Sequence, residues 1–155
     1  MSALESELYL SKCQVDTPLD VVEGIWKLIS QYRKDIKKVV DFGAGDGKFS
    51  LFGEYGTYVG YEVDPARLKT VKKLPKNASV KLGCAFQTNI KNYDLCIGNP
   101  PYVRHHDIET AWQLSVLARL ESKSDIKIDA RTNAFTLFML QALLSTSKTG
   151  LSYMQ

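Results

Sequence analysis

Apolar positions along this chain keep changing period. Val22, Ile25, Trp26 and Ile29 fall at helical spacing. Thr17-Pro18 offers an N-cap with proline at the first helical position, and the acids Asp20 and Glu23 follow, so an amphipathic helix is predicted from 18 to about 33. The polar RKDIKK stretch then leads into VVDFG, a short apolar run of strand type that ends in glycine. Residues 46–55 suit a helix, YVGYEVD (58–64) a buried strand, and PARLKTVKKL (65–74) a short helix with Leu68, Val71 and Leu74 on one side. SVKLGC (79–84) and YDLCIGN (93–99) are the next strands. Ile108, Trp112, Val116 and Leu120 repeat at i, i+4, which predicts a second amphipathic helix. A charged connection (123–131) precedes TNAFTLFMLQALL (132–144), a helix apolar nearly all round and so expected to be buried. Lys148-Thr149-Gly150 turns into a last strand, LSYM, while residues 1–16 lack clear periodicity and form a lead-in.

Strands alternating with helices predict an α/β fold with a doubly wound, mostly parallel sheet. Such sheets bind ligands beyond the carboxyl ends of their strands. The unusual residues sit at those ends: Gly43 after the first strand, Glu62 and Asp64 at the second, and Asn99 after the fourth.

Composition narrows the class. A chain of 155 residues with 45% hydrophobic and 24% charged positions fits one domain able to bury its own core. No apolar run approaches the roughly 20 residues of a membrane span, and the acids in MSALESELYL are unlike a secretory signal. Cys13, Cys84 and Cys96 are odd in number and widely spaced, which argues for a reduced, cytoplasmic setting rather than disulfides or a CxxC metal site. Net charge is only +3 and no third of the chain is strongly basic, so charge alone does not make a nucleic-acid binder. His105 and His106 precede Asp107, but no third spaced ligand completes a metal site, and phosphate or solvent contact suits them better. Trp26 and Trp112 fit the cores of amphipathic faces.

The loop VVDFGAGDGKFS places glycines at 43, 45 and 47 between a strand and a helix. The spacing is GxGxG, not the dinucleotide GxGxxG, and no Lys-Ser/Thr pair completes a P-loop. Asp41 and Asp46 would repel a pyrophosphate, so a cofactor carrying positive charge fits better, such as S-adenosyl-L-methionine with its sulfonium and amino groups. Glu62, at the end of the next strand, can accept hydrogen bonds from ribose hydroxyls. In CIGNPPYVRHH, two prolines lock the backbone and hold the Asn99 amide and the Tyr102 ring in fixed directions.

The segments DFGAGDG, GYEVDP and GNPPYVR, in that order and spacing, resemble the adenine-specific DNA methyltransferases of restriction–modification systems. TPLDVV is similar to that family's cofactor-binding stretch, and the apolar helix with GLSYM resembles the helix and strand beyond its catalytic turn. The resemblance spans residues 17–155 and implies a Rossmann-like catalytic domain, incomplete at the C-terminal side, transferring a methyl group from S-adenosyl-L-methionine to the exocyclic amino group of adenine in DNA. It implies Asn99, Pro100 and Tyr102 as catalytic residues. For the cofactor it implies Thr17, Pro18, Asp41, Gly43, Gly45, Gly47, Glu62, Val63, Cys84, Ala85, Phe86 and Asn99. Duplex DNA would be the partner, with a target-recognition or nuclease domain downstream and no membrane.

Two features depart from the family pattern. The acid usual at the end of the third strand is replaced by Cys84 or Ala85, with Phe86 left to pack on the cofactor's adenine. The chain also ends after five strands, so it is expected to be the front of a larger enzyme and inactive alone. Alternatives are methylation of protein glutamine or of a ribosomal RNA guanine amino group, or a non-catalytic remnant of the fold.

Overall fold

The computed structural model describes residues 15–154; most of the expected lead-in lies outside the described residues. Five strands form one parallel sheet: β1 (Lys38–Phe42), β2 (Thr57–Glu62), β3 (Ala78–Leu82), β4 (Tyr93–Gly98) and β5 (Thr146–Met154). Their order is β3-β2-β1-β4-β5. The chain therefore runs outward from β1 to β3, then returns to lay β4 on the other side of β1. Loops after β1 and β4 leave in opposite directions, and the crevice between them is where such sheets bind ligands.

Period-two alternation assigns the two faces of the sheet. Val39, Leu95 and Ile97 bury beneath α1 (Leu19–Tyr32), whose Val22, Ile25, Trp26 and Ile29 form the predicted stripe. Trp26 is a core residue as expected, and its indole Nε1 donates to Phe49 O at 2.8 Å. Val40, Phe42 and Cys96 point to the other face, under α3 (Thr110–Lys123) and α4 (Ala134–Ser145). At the opposite end of the sheet, Asp94 ties the starts of β1 and β4 together. It accepts from the backbone N–H groups of Lys37 and Lys38 and pairs with Arg33 at 3.0 Å. These contacts hold its carboxyl below the ordinary carboxylate range, although partial burial alone would raise it.

Four local expectations are corrected. Residues 46–55 form only a single 3-10 turn (Lys48–Leu51), because Gly47 and Gly53 adopt φ of 79° and 78° on either side. The helix expected over 65–74 stops after α2 (Pro65–Leu68). There the Thr70 backbone N–H and hydroxyl both bond the Arg67 carbonyl, and Leu74 folds back against Gly47. The fifth strand begins earlier than LSYM, at Thr146, with an irregular register against β4 between Tyr93 and Leu95. Finally, α4 is buried along one side only, since Met139 and Leu143 are exposed.

Candidate active site

The glycine loop is built on β2 as much as on β1. The N–H groups of Gly43 and Ala44 both donate to Tyr61 O, at 2.9 and 3.0 Å. Glu62 is wholly buried; its Oε2 accepts from Gly45 N at 2.8 Å and its Oε1 from Asp64 N at 2.9 Å. The acid at the end of β2 thus fixes the loop that crosses it, and each oxygen keeps a second lone pair. Such a turn needs positive φ, and Gly43 and Gly45 supply it at 83° and 55°. Glu62→Gln would set an amide NH2 against one of those two N–H groups. It is expected to lower folding stability by about 1–3 kcal/mol, measured by urea unfolding.

Two recesses flank Gly43. The polar one is lined by Thr17, Gly43, Gly45, Asn99, Asp16 and Arg67 among others. Thr17, expected to cap α1, does something else here. Pro18 occupies the N-cap position without a side-chain cap, and Thr17 Oγ1 accepts from Asn99 Nδ2 at 3.2 Å. Asn99 Nδ2 also donates to Val15 O at 3.0 Å. Both donor bonds fix the carboxamide orientation. Its Oδ1 is buried and has no hydrogen-bond partner among the described residues. An acceptor oriented in this way and left unused at the end of β4 is costly unless something uses it.

The second recess is apolar. Val63, Cys84, Ala85 and Phe86, implied for the cofactor, line it together with Gly43, Tyr61, Pro101, Trp112 and Phe138. No carboxylate lines this recess, which agrees with the replacement of the usual acid by Cys84 and Ala85. Phe86 is held edge-on by Trp112 and Phe138, with centroids 5.5 and 4.7 Å away. Trp112 therefore belongs to the wall of this recess as well as to the helix stripe, which spacing alone could not tell.

Other implied residues are placed differently. Asp41 does not line either recess: it is fully buried on the α1 side of the sheet, and the Tyr58 hydroxyl donates to its Oδ2 at 2.5 Å. Period two puts Asp41 on the same face as Val39, which forces it under the loop rather than into the crevice. Burial pushes its carboxyl up to about 7; the Tyr58 bond opposes this, and the charges of Glu62 and Asp46 add to it. Gly47 faces Leu74 and Val80 rather than the crevice, and Pro18 only starts α1. Sequence reasoning missed Asp16 and Arg67, which form an ion pair at 2.5 Å beside Gly45. No spacing rule links positions that far apart. His105 and His106 lie in a 3-10 turn, and no group of three metal-ligating side chains occurs among the described residues.

A parallel sheet of this order, with a glycine loop and an Asn-Pro-Pro-Tyr turn meeting at its switch point, is that of a Rossmann-like methyltransferase. Residues 62–154 match the Eco57I restriction-modification methylases, and the chain belongs to that family. It is 28% identical over 145 residues to the type II methyltransferase M.AccI of Acinetobacter calcoaceticus. That match covers 88% of this chain and 26% of the relative, so the chain spans about a quarter of the length of this curated relative. Solved structures show the same fold. One is described as a class I S-adenosylmethionine-dependent methyltransferase from Listeria monocytogenes, with TM-score 0.62 and 13% identity, over 95% of this chain and 50% of that one. Another is assigned as an RNA methyltransferase from Pyrococcus horikoshii, with TM-score 0.58 and 21% identity, over 93% and 70%. At these identities the likeness concerns the fold alone. No helix among the described residues is long and apolar enough to cross a membrane.

Proposed function

We propose that this chain forms the cofactor and catalytic part of a DNA methyltransferase that acts on the exocyclic amino group of adenine. The observation that carries the reading is the unpartnered Oδ1 of Asn99 at the end of β4, in a side chain oriented by its own two donor bonds. Membership of a restriction-modification methylase family supports DNA as the substrate.

The residues present fit S-adenosyl-L-methionine. Thr17, Gly43 and Gly45 line a polar recess suited to an amino-acid end, while the apolar recess beyond Gly43 suits an adenine ring. Gly43 borders both. Glu62 is the proposed acceptor for ribose hydroxyls through the second lone pair of each oxygen, although it lies beneath the loop and lines neither recess. Bound there, S-adenosyl-L-methionine supplies an electrophilic methyl group on a sulfonium. An adenine amino group is a poor nucleophile because its lone pair is delocalised into the ring. Asn99 Oδ1 and the Pro100 carbonyl accept its two N–H bonds and hold the nitrogen toward tetrahedral geometry. That concentrates the lone pair on the side facing the methyl carbon. Held in these recesses, the cofactor would give up its methyl group with the sulfur retaining the C–S electron pair, and the amino proton would pass to solvent. Catalysis of this kind is positioning and electrostatics. The half-exposed Tyr102 ring offers a face on which an extruded base can stack.

The test uses the protein at its natural length. Incubated with labelled S-adenosyl-L-methionine and duplex DNA, it is expected to place label on adenine N6. Label appearing only on cytosine, RNA or protein would overturn the substrate assignment. Calorimetry showing no cofactor binding would overturn the enzyme reading itself.

A further inference from the structure

Tyr102 leaves the catalytic turn half exposed, and a second ring lies beside it. Phe135, at the start of α4, is parallel to Tyr102 within 10°, with the centroids 5.8 Å apart. Long-range contacts hold the two segments that carry these rings. Gln113, buried on α3, donates from Nε2 to Ala130 O at 2.7 Å and to Thr132 O at 3.0 Å, which pins the loop ahead of α4. Asn133 caps α4, its Oδ1 accepting from Thr136 N at 2.9 Å. Ala134 N then donates to Val103 O at 3.0 Å, so the residue after Tyr102 is bonded to the residue before Phe135. Val103, Ile108 and Ala134 bury together beneath this junction, with Trp112 packed on them.

We infer that Phe135 is a positioning residue: it holds the Tyr102 ring ready for the acceptor base, which stacks on the Tyr102 face turned away from Phe135. The inference rests on the proposed function and deepens it. The geometry decides between two roles that a second aromatic could have. The spacing between the two ring planes cannot exceed the centroid distance of 5.8 Å. A base between them would need two stacking contacts of about 3.5 Å each, or about 7 Å in all. Phe135 therefore backs Tyr102 and is not the other half of a clamp. A tyrosine ring fixed before the base arrives has already lost its rotamer freedom during folding, so binding does not have to supply that ordering again.

A double-mutant cycle in the full-length protein tests this, with single-turnover methylation of duplex DNA and calorimetry of S-adenosyl-L-methionine as readouts. Phe135→Ala is expected to lower kcat/KM for duplex DNA roughly three- to tenfold, the range an aromatic pair contributes, with cofactor affinity unchanged. In a Tyr102→Ala background the same change should have no further effect, and Phe135→Tyr should restore most of the loss. Phe135→Leu keeps most of the volume without the ring and should behave like Phe135→Ala, which guards against a variant that merely unfolds. Equal losses in both backgrounds would overturn the inference, because Phe135 would then act on the fold or touch the base directly. Unchanged methylation by Phe135→Ala would overturn it too. A wild-type protein that binds cofactor yet leaves duplex adenine unmethylated would overturn the substrate reading and this inference with it, and the wild-type control alone separates that case.

Discussion

Asn99→Ala is expected to lower methyl transfer by the full-length protein by a factor of about 10² to 10³, the loss typical when one fixed polar group facing a transition state is removed. The Oδ1 of Asn99 is buried without a partner, and the Nδ2 of the same amide is held by Val15 O and Thr17 Oγ1. The amide therefore cannot turn without breaking two bonds, and its acceptor stays aimed. Alanine removes both functions. Losing the donor side also loosens the segment that walls the polar recess, so cofactor affinity should fall as well. That loss corresponds to one or two neutral hydrogen bonds of about 1 kcal/mol each, well below the effect on transfer. Asn99→Asp separates the two functions, since it keeps an acceptor and abolishes both donor bonds. Its transfer rate should lie between those of the wild type and the alanine variant. Labelled methyl incorporation and calorimetry measure the two effects separately, and wild-type transfer by Asn99→Ala would remove this residue from the mechanism.

The sheet was legible because its strands carry their own signal. VVDFG, YVGYEVD and YDLCIGN are short apolar runs that end in glycine, acid and asparagine respectively, and the structure keeps all three as β1, β2 and β4. The long helices α1 and α3 were equally plain from their i, i+4 stripes. The short segments were not, because their limits are set by other parts of the fold. Residues 46–55 cannot extend a helix past Gly53, and α2 stops where Leu74 is needed against Gly47. At the site, the glycine loop and the Asn99 turn could be placed by their strand ends alone. The roles of Thr17 and Glu62 could not, since each depends on a partner brought near by the sheet order: Asn99 for one, Gly45 for the other. Phe135 left no signal, because a helix apolar on nearly every side does not reveal which residue meets the Tyr102 ring. Asp41 is placed away from both recesses for a definite reason. An acid beside a glycine loop suggests a ligand, yet strand alternation sends this one inward, to Tyr58.

That inward acid should give the protein an unusual dependence of stability on pH. Asp41 is wholly buried, its Oδ1 has no partner among the described residues, and its carboxyl is pushed up to about 7. In the unfolded chain an aspartate titrates near 3.9. Between those values the folded state binds more protons than the unfolded state, so stability falls as pH rises. The contribution is fully present below about pH 4, is lost progressively on approach to about 7, and stays lost above. A carboxyl that titrates near 3.9 unfolded and at about 7 folded corresponds to roughly 4 kcal/mol across that window. Asp94 acts in the opposite sense. Its lowered carboxyl contributes stability above the unfolded value and loses it as pH falls through the folded one, so its effect lies below this window. Asp41→Asn keeps the shape and removes the titration. Urea unfolding of the wild type should give a midpoint that declines from pH 5 to pH 7 and then levels, whereas Asp41→Asn should be nearly flat. The variant should also be the more stable of the two at pH 8, where the wild type holds an ionised carboxylate against Gly98, the residue that leads into the Asn99-Pro100-Pro101-Tyr102 turn. Parallel pH profiles for the two proteins would show that Asp41 is ionised in the fold throughout, with Tyr58 supplying enough stabilisation to keep it so.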